Sequence, residues 1–399
     1  MRILTALLLA LPLAAQHDMS NMPDMPGMDH SKLQKNSTEP MMDMIQLKAG
    51  GWNLGFHGVA FLTSIQETGP RGHDKVAAIN WFMGEASHPL AGGTFSVLTM
   101  LSLDPATVTG RYYPELFQTG ETAFGKPIVD GQHPHNFVMN LGLHYSHRLA
   151  GGATWEISAS PVGDPALGPV AFAHRASASE LPQATIAHHL QDSTHIANEV
   201  ITAGLKRGMF HLEASGFSGT ESGENRWTIG YGAINSFSGR LTVTPNSAWS
   251  GQVSAGRLTK PEALEPGNQS RLSASLTHTR SLPQGTWATS LIWGRVHKTA
   301  NKANLNSFGV ESVARFAGKN YLSGRVEFVD KDELPLPGTF RIGAYTAGYT
   351  RDFPFLPHVT SGLGANVTVY SMPAALHPLY GERPVSMLVF LRFRLHGAA

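Results

Sequence analysis

From Val76 to Leu395 the chain repeats one unit: about ten residues of alternating apolar and polar side chains, then a break, with the breaks alternately short and long. Period-two alternation gives each strand one face for an apolar medium and one for water. A long series of such strands, joined by alternately short and long connections, is the pattern of a transmembrane β-barrel. The expected fold is therefore all-β: an antiparallel transmembrane barrel of about sixteen strands with long external loops and a disordered N-terminal tail. The strands are expected at 51–65, 76–86, 93–103, 136–148, 153–161, 195–205, 208–218, 233–244, 248–257, 270–280, 286–296, 305–317, 319–329, 338–351, 357–370 and 385–395.

Individual strands show their faces. In the fourth, Phe137, Met139, Leu141, Leu143 and Tyr145 oppose Asn136, Asn140, His144, Ser146 and Arg148. In the tenth, Arg271, Ser273, Ser275, Thr277 and Thr279 oppose Leu272, Ala274 and Leu276, and in the last Leu391, Phe393 and Leu395 oppose Arg392 and Arg394. A soluble barrel would turn the same faces the other way, so alternation alone does not choose between them. Loop length does. Connections after the even strands are short, such as AGG, KRG and DFPFLP, while two after odd strands reach about thirty residues, at 104–135 and 162–194. Short periplasmic turns and long external loops belong to outer-membrane barrels. An even strand count then puts both termini on the short-turn side. Trp52, Trp81, Trp155, Trp249, Trp287 and Trp293 fall near strand ends or turns, where an aromatic girdle would place them. A soluble β-sandwich is the rival fold.

The N-terminus fits export. Arg2, the apolar run Ile3–Leu13 and Ala14-Ala15 resemble a signal peptide over residues 1–15, too short to span a bilayer. Residues 16–49 are expected to form a disordered, Met/His-rich periplasmic tail, and 50–399 the barrel in the outer membrane of a Gram-negative-type bacterium, with outer-membrane lipid as its surroundings. A net charge of +1, from 30 basic and 29 acidic residues, argues against nucleic acid, which needs a basic excess. With no cysteine, thiolate catalysis and thiolate metal sites are excluded.

The tail carries Met19, Met22, Met25 and Met28 at a spacing of three, bracketed by His17 and His30, and seven of the chain's 14 methionines lie between 19 and 44. Thioethers are soft donors suited to Cu(I), and they persist in an oxidising compartment. The pattern points to copper capture, against a solvated linker as the plain alternative. Eight of 19 histidines lie between 133 and 195, most of them in or beside the two longest loops. "DGQHPH" puts His133 and His135 beside Asp130. After Pro182, residues 183–191 are expected to form a short helix, and continuing the turn would align His188, Asp192 and His195, with His189 adjacent. Such a set can hold a divalent cation, with the carboxylate as ligand or as orienter of an imidazole. Equally, these residues can form a hydrogen-bonded network that pins the loops. Arg240, Arg271, Arg325, Arg341, Arg392 and Arg394 face inward with Glu213, Glu311 and Glu327, implying a polar interior that Arg–Glu pairs could also close.

No catalytic arrangement emerges. Ser193 between Asp192 and His195 cannot form a relay with its sequence neighbours, and there is no G-x-S-x-G elbow. A non-enzyme is expected.

The segments "DGQHPHNFVMNLGLHYS", "GDPALGPVAFAHRASA" and "HHLQDSTHIANEVITAGL" resemble exported bacterial proteins of outer-membrane barrel type that carry no assigned activity. The tail is similar to those of copper-resistance outer-membrane proteins of the B type, a likeness that stops at the barrel and implies copper. The expected function is copper or other soft-metal binding, tolerance or transport, with a general porin for small solutes as the alternative and an outer-membrane hydrolase behind it.

Overall fold

The computed structural model describes residues 44–356 and 358–395. Its strands are β1 Ile45–Ala49, β2 Trp52–Glu67, β3 Lys75–Leu90, β4 Gly93–Leu101, β5 Tyr113–Ala123 and β6 Lys126–Gln132. They continue with β7 Val138–Arg148, β8 Thr154–Gly163, β9 Ala197–Arg207, β10 Phe210–Ser218, β11 Ser236–Asn246, β12 Trp249–Leu258 and β13 Gln269–Leu282. The last six are β14 Gly285–Lys298, β15 Asn304–Phe316, β16 Asn320–Lys331, β17 Phe340–Leu356, β18 Val359–Ser371 and β19 Val385–Leu395. Short helices are α1 Asp104–Thr107, α2 His188–Gln191 and α3 His377–Tyr380.

Sixteen of these strands, all but β1, β5 and β6, pair antiparallel with their neighbours in chain order, and β19 returns to β2, Phe390 opposite Thr63. The sheet is thus a closed cylinder with no free edge. All sixteen match the strands expected from alternation. The short β1 pairs with the first residues of β2, Ile45 opposite Phe56, so the tail boundary at 49 is corrected: ordered chain begins before it. His17, Met19, Met22, Met25, Met28 and His30 lie outside the described residues.

The apolar faces point outward. Leu272, Leu291, Leu322 and Leu363 are about half exposed, at 45%, 47%, 55% and 53%, while Arg271, Ser290 and Ser323, each next to one of the first three, are buried inside. A protein in water would not leave one whole face of a sixteen-strand sheet apolar. Several local expectations are corrected. In β7, Leu101 pairs with Val138 but Met100 pairs with Asn140, leaving Met139 as an extra bulge residue. The bulge turns Met139 into the lumen, where it is buried, away from Leu141 and Leu143. DFPFLP is mostly strand, because β17 runs to Leu356. Trp81 is no girdle residue: it is buried in the lumen against His57 and His174, ring centroids 5.1 and 4.3 Å apart. The girdle at the short-turn rim is built differently, from Trp–His pairs on neighbouring strands: Trp52 with His88, Trp155 with His147, Trp249 with His278.

Two long connections, 102–137 and 164–196, enter the cylinder and fill it. The first contains the β5–β6 hairpin, absent from the strands expected from sequence. Leu116 and Phe117 of β5 pack with Ile186, Ala187 and Leu190 of the second connection against Val296, Leu305, Val329 and Ile342 on the wall. Gly294 allows this contact, since a Cβ there would stand 2.1 Å from the carbonyl oxygen of Leu190.

Candidate metal centre in the lumen

Where the two inserted connections meet, the chain collects its loop histidines. His133 follows β6, and His188 and His189 open α2; all three are buried, and one ring nitrogen from each lies within 4.8 Å of the others. His135 and His195 stand beside this trio, His135 to His195 at 6.0 Å and His188 to His195 at 5.3 Å between ring centroids. The two histidine-bearing loops therefore meet at His133, His188 and His189. The expected helix is shorter, four residues from His188, because Ser179–Ala187 spends its backbone on polar wall contacts. Arg325 Nη1 donates to the carbonyls of Gln183 and Ala184 at 3.2 and 3.0 Å, and Glu327 Oε1 accepts from the Ala187 amide at 3.2 Å.

The other expected members have distinct duties. Asp192 Oδ1 accepts from His188 Nδ1 at 2.7 Å, while its Oδ2 accepts from Arg175 Nη1 at 2.6 Å and the Phe172 amide at 2.9 Å. It thus orients His188, holding the ring through Nδ1. His195 Nδ1 donates to the Asp192 carbonyl at 2.8 Å, and His135 Nδ1 pairs with Asp104 Oδ2 of α1 at 2.8 Å. Asp130, beside the DGQHPH motif, turns away: it accepts from the Phe117 amide at 2.8 Å and the Tyr380 hydroxyl at 3.2 Å and pairs with Arg71.

The trio itself is under-partnered. Neither ring nitrogen of His189 has a hydrogen-bond partner, although Nδ1 is 3.8 Å from Glu221 Oε1. His133 Nδ1 meets only the Pro134 carbonyl, at 3.1 Å, and its Nε2 lies 3.1 Å from Glu121 Oε1 without hydrogen-bond alignment. Orphaned buried nitrogens cost free energy and call for an explanation. Burial holds all three neutral at pH 7: His188 and His189 are pushed down to about 4 and His133 well below its usual value. A neutral imidazole is the ligand-competent form. Asp192 goes the other way. Burial favours its neutral form, but Arg175 and His188 outweigh it and hold the carboxyl well below the usual range.

Glu121 was not singled out in the sequence. It sits at φ +58°, with Phe117 and Asp130 of the same hairpin at +66° and +60°, a conformation L residues avoid. Such strain persists only when its surroundings enforce it, and it gathers at functional sites. Here Arg226 pairs with Glu121, and Lys331 Nζ donates to Gln118 Oε1 at 3.1 Å. Gly120 makes room for the centre: it lies at φ +115°, and a Cβ would meet the His189 ring at 2.5 Å.

The inward arginines close the lumen rather than line an open pore. Arg392 and Arg394 pair with Glu180, and Arg175 and Arg325 with Glu311. Below this seal, on the short-turn side, remains a chamber of about 230 Å3. Thr242, Ser250, Gln252, Thr277 and Ser290 line it, with Val170 as part of its roof. Glu156, His211 and Glu213 cluster at its edge, and Glu265, Asp332 and Glu333 cluster elsewhere. Both groups already hold a cationic side chain: Arg240 is bidentate on Glu213 at 2.9 and 3.2 Å, and Lys298 lies within 3.0 Å of all three acids of the second group.

No protein-family model matches the chain, and no curated protein matches it in sequence. Solved structures do resemble it. The anion-selective porin from Comamonas acidovorans superposes with a TM-score of 0.56 at 11% identity, over 86% of this chain and 100% of that one. OprB from Pseudomonas putida gives 0.54 at 9%, over 86% and 94%, and Salmonella typhi OmpF, solved with daunomycin, gives 0.53 at 9%, over 88% and 100%. At such identities the likeness shows a shared fold, a porin-like barrel of outer-membrane type.

Proposed function

We propose that the protein is a porin-type conduit for small polar solutes across the outer membrane, shut in this conformation by its two inserted loops. The observation that carries this is the chamber, bordered by Ser, Thr and Gln side chains together with Glu213, Arg240, Val170 and Ile292, beneath a seal made of side-chain contacts instead of continuous strand. Loops held in this way can move while the cylinder stays intact. The test is conductance in planar bilayers of the full chain and of an Arg175→Met, Glu180→Gln variant that removes two anchors. Rare, small openings are expected from the first and longer, larger ones from the second; silence of both rejects a conduit.

A second reading, soft-metal tolerance, draws support from the meeting of His133, His188 and His189. In it the tail residues His17, Met19, Met22, Met25, Met28 and His30 collect copper ions, and the loop histidines form a further site. Copper titration of the mature chain against a version lacking residues 16–43 tests the tail. Lower stoichiometry without it is expected, and equal binding removes the tail's role.

A further inference from the structure

We infer that His133, His188 and His189, completed by Glu121, form a site for one divalent transition-metal ion that staples the two inserted loops together. This deepens the metal reading for the loop residues alone, and its test is read at the site, so a chain with no part in metal tolerance would leave it standing.

The ligand set spans both loops. His133 and Glu121 come from the connection 102–137, and His188 and His189 from 164–196. The loops are also joined directly: Gln118 Nε2 donates to the Thr185 carbonyl at 2.9 Å, the Ala184 amide donates to the Tyr113 hydroxyl at 3.3 Å, and Leu116 and Phe117 pack with Ile186, Ala187 and Leu190. The donor types select the ion. Three neutral imidazoles and one carboxylate suit Zn2+, Co2+ or Cu2+, whereas Cu(I) favours thioethers. Tetrahedral metal–nitrogen bonds of about 2.0–2.1 Å need donor atoms about 3.3 Å apart, so the trio must draw in from its 4.8 Å envelope by small side-chain rotations.

Four independent features prepare that contraction. Asp192 holds His188 through Nδ1, as carboxylates do behind metal-bound histidines. His189 and His133 Nε2 have no competing hydrogen bond to give up. Gly120 leaves the space the His189 ring occupies. Glu121 is held at the site in a strained backbone conformation, with Arg226 on its far oxygen, Oε2, and Oε1 facing His133.

The probe is Co2+ added to the folded full chain, since tetrahedral Co2+ absorbs visible light far more strongly than the six-coordinate ion. One tetrahedral Co2+ per chain is expected, displaced by Zn2+. His133→Gln and His189→Gln should each weaken it at least tenfold, because either change removes one of the two ligands its loop supplies. His88→Gln, at the short-turn rim, should leave it intact. Gly120→Ala is a positioning variant that keeps every ligand, and it should weaken binding by displacing His189. Folding of each variant is checked by its mobility on unheated gels. A folded His133→Gln or His189→Gln protein that keeps the full band, or a parent chain without one, overturns the site.

Discussion

Arg175 shows how much one side chain can carry in this lumen. It is buried and links Asp192 on its own loop to Glu311 on β15. Replacing it with Met leaves the Asp192 carboxylate buried beside His188 without its cation, whereas Glu311 keeps Arg325 at 3.4 Å. Removing one partner of a buried ion pair costs about 3–5 kcal/mol. Because one of the two acids retains a partner, Arg175→Met is expected at the lower end, about 3 kcal/mol, in urea unfolding from micelles. Adding Asp192→Asn should recover part of that loss, since the two residues share one network. Equal stability of parent and single mutant would show that the pair does not hold the loop. Strand parity made most of the inward arginines legible in the sequence, but Arg341 is a correction: it is exposed and pairs with Asp330, while Ile342 beside it is the residue buried inside. The partners of Arg392 and Arg394 were not legible, because Glu180 lies on an inserted loop and Asp352, which pairs with Arg392, on β17, and only the fold sets those meetings.

At the scale of elements, the connection 164–196 behaves as a folded part of the interior, and acid should loosen it. His174 lies partly buried against Trp81, with His57, His135 and Arg175 as its charged or titratable neighbours. Burial first, then those neighbours, push it from 6.5 down to about 3. Unfolded chain therefore takes up a proton between those values that folded chain refuses. The folded state is undiminished above about pH 6.5 and loses stability as pH falls toward 3, by up to about 1.4 kcal/mol per pH unit from this residue. Melting of the full chain should drop more steeply between pH 7 and 4 than that of His174→Gln; parallel curves would contradict this. The barrel strands were legible because hydrocarbon and water impose a period of two on every one of them. The β5–β6 hairpin was not, since both its faces are buried among inserted loops and no alternation marks it. The histidine centre was half legible. Clustering flagged His133 and His188, and the spacing of Asp192 foretold its contact with His188. Glu121 gave no signal, because its role depends on a backbone turn at positive φ that nothing in its neighbours announces.

For the whole molecule, one medium explains most of the pattern. Leucines, valines and phenylalanines face outward along β7 to β19, and the interior closes on itself through two loops and a belt of ion pairs. That arrangement makes sense only if lipid covers the outside. The absence of cysteine makes the test clean, because a single introduced Cys carries the only label. Leu291 on β14 is about half exposed on the outer face, and Thr242 on β11 borders the inner chamber. Leu291→Cys and Thr242→Cys chains would be labelled in urea with a small fluorophore, refolded into vesicles and quenched with lipids brominated along their tails. Strong quenching at 291 and little at 242 is expected. Equal quenching at both, or none at 291, would contradict a lipid-bathed cylinder.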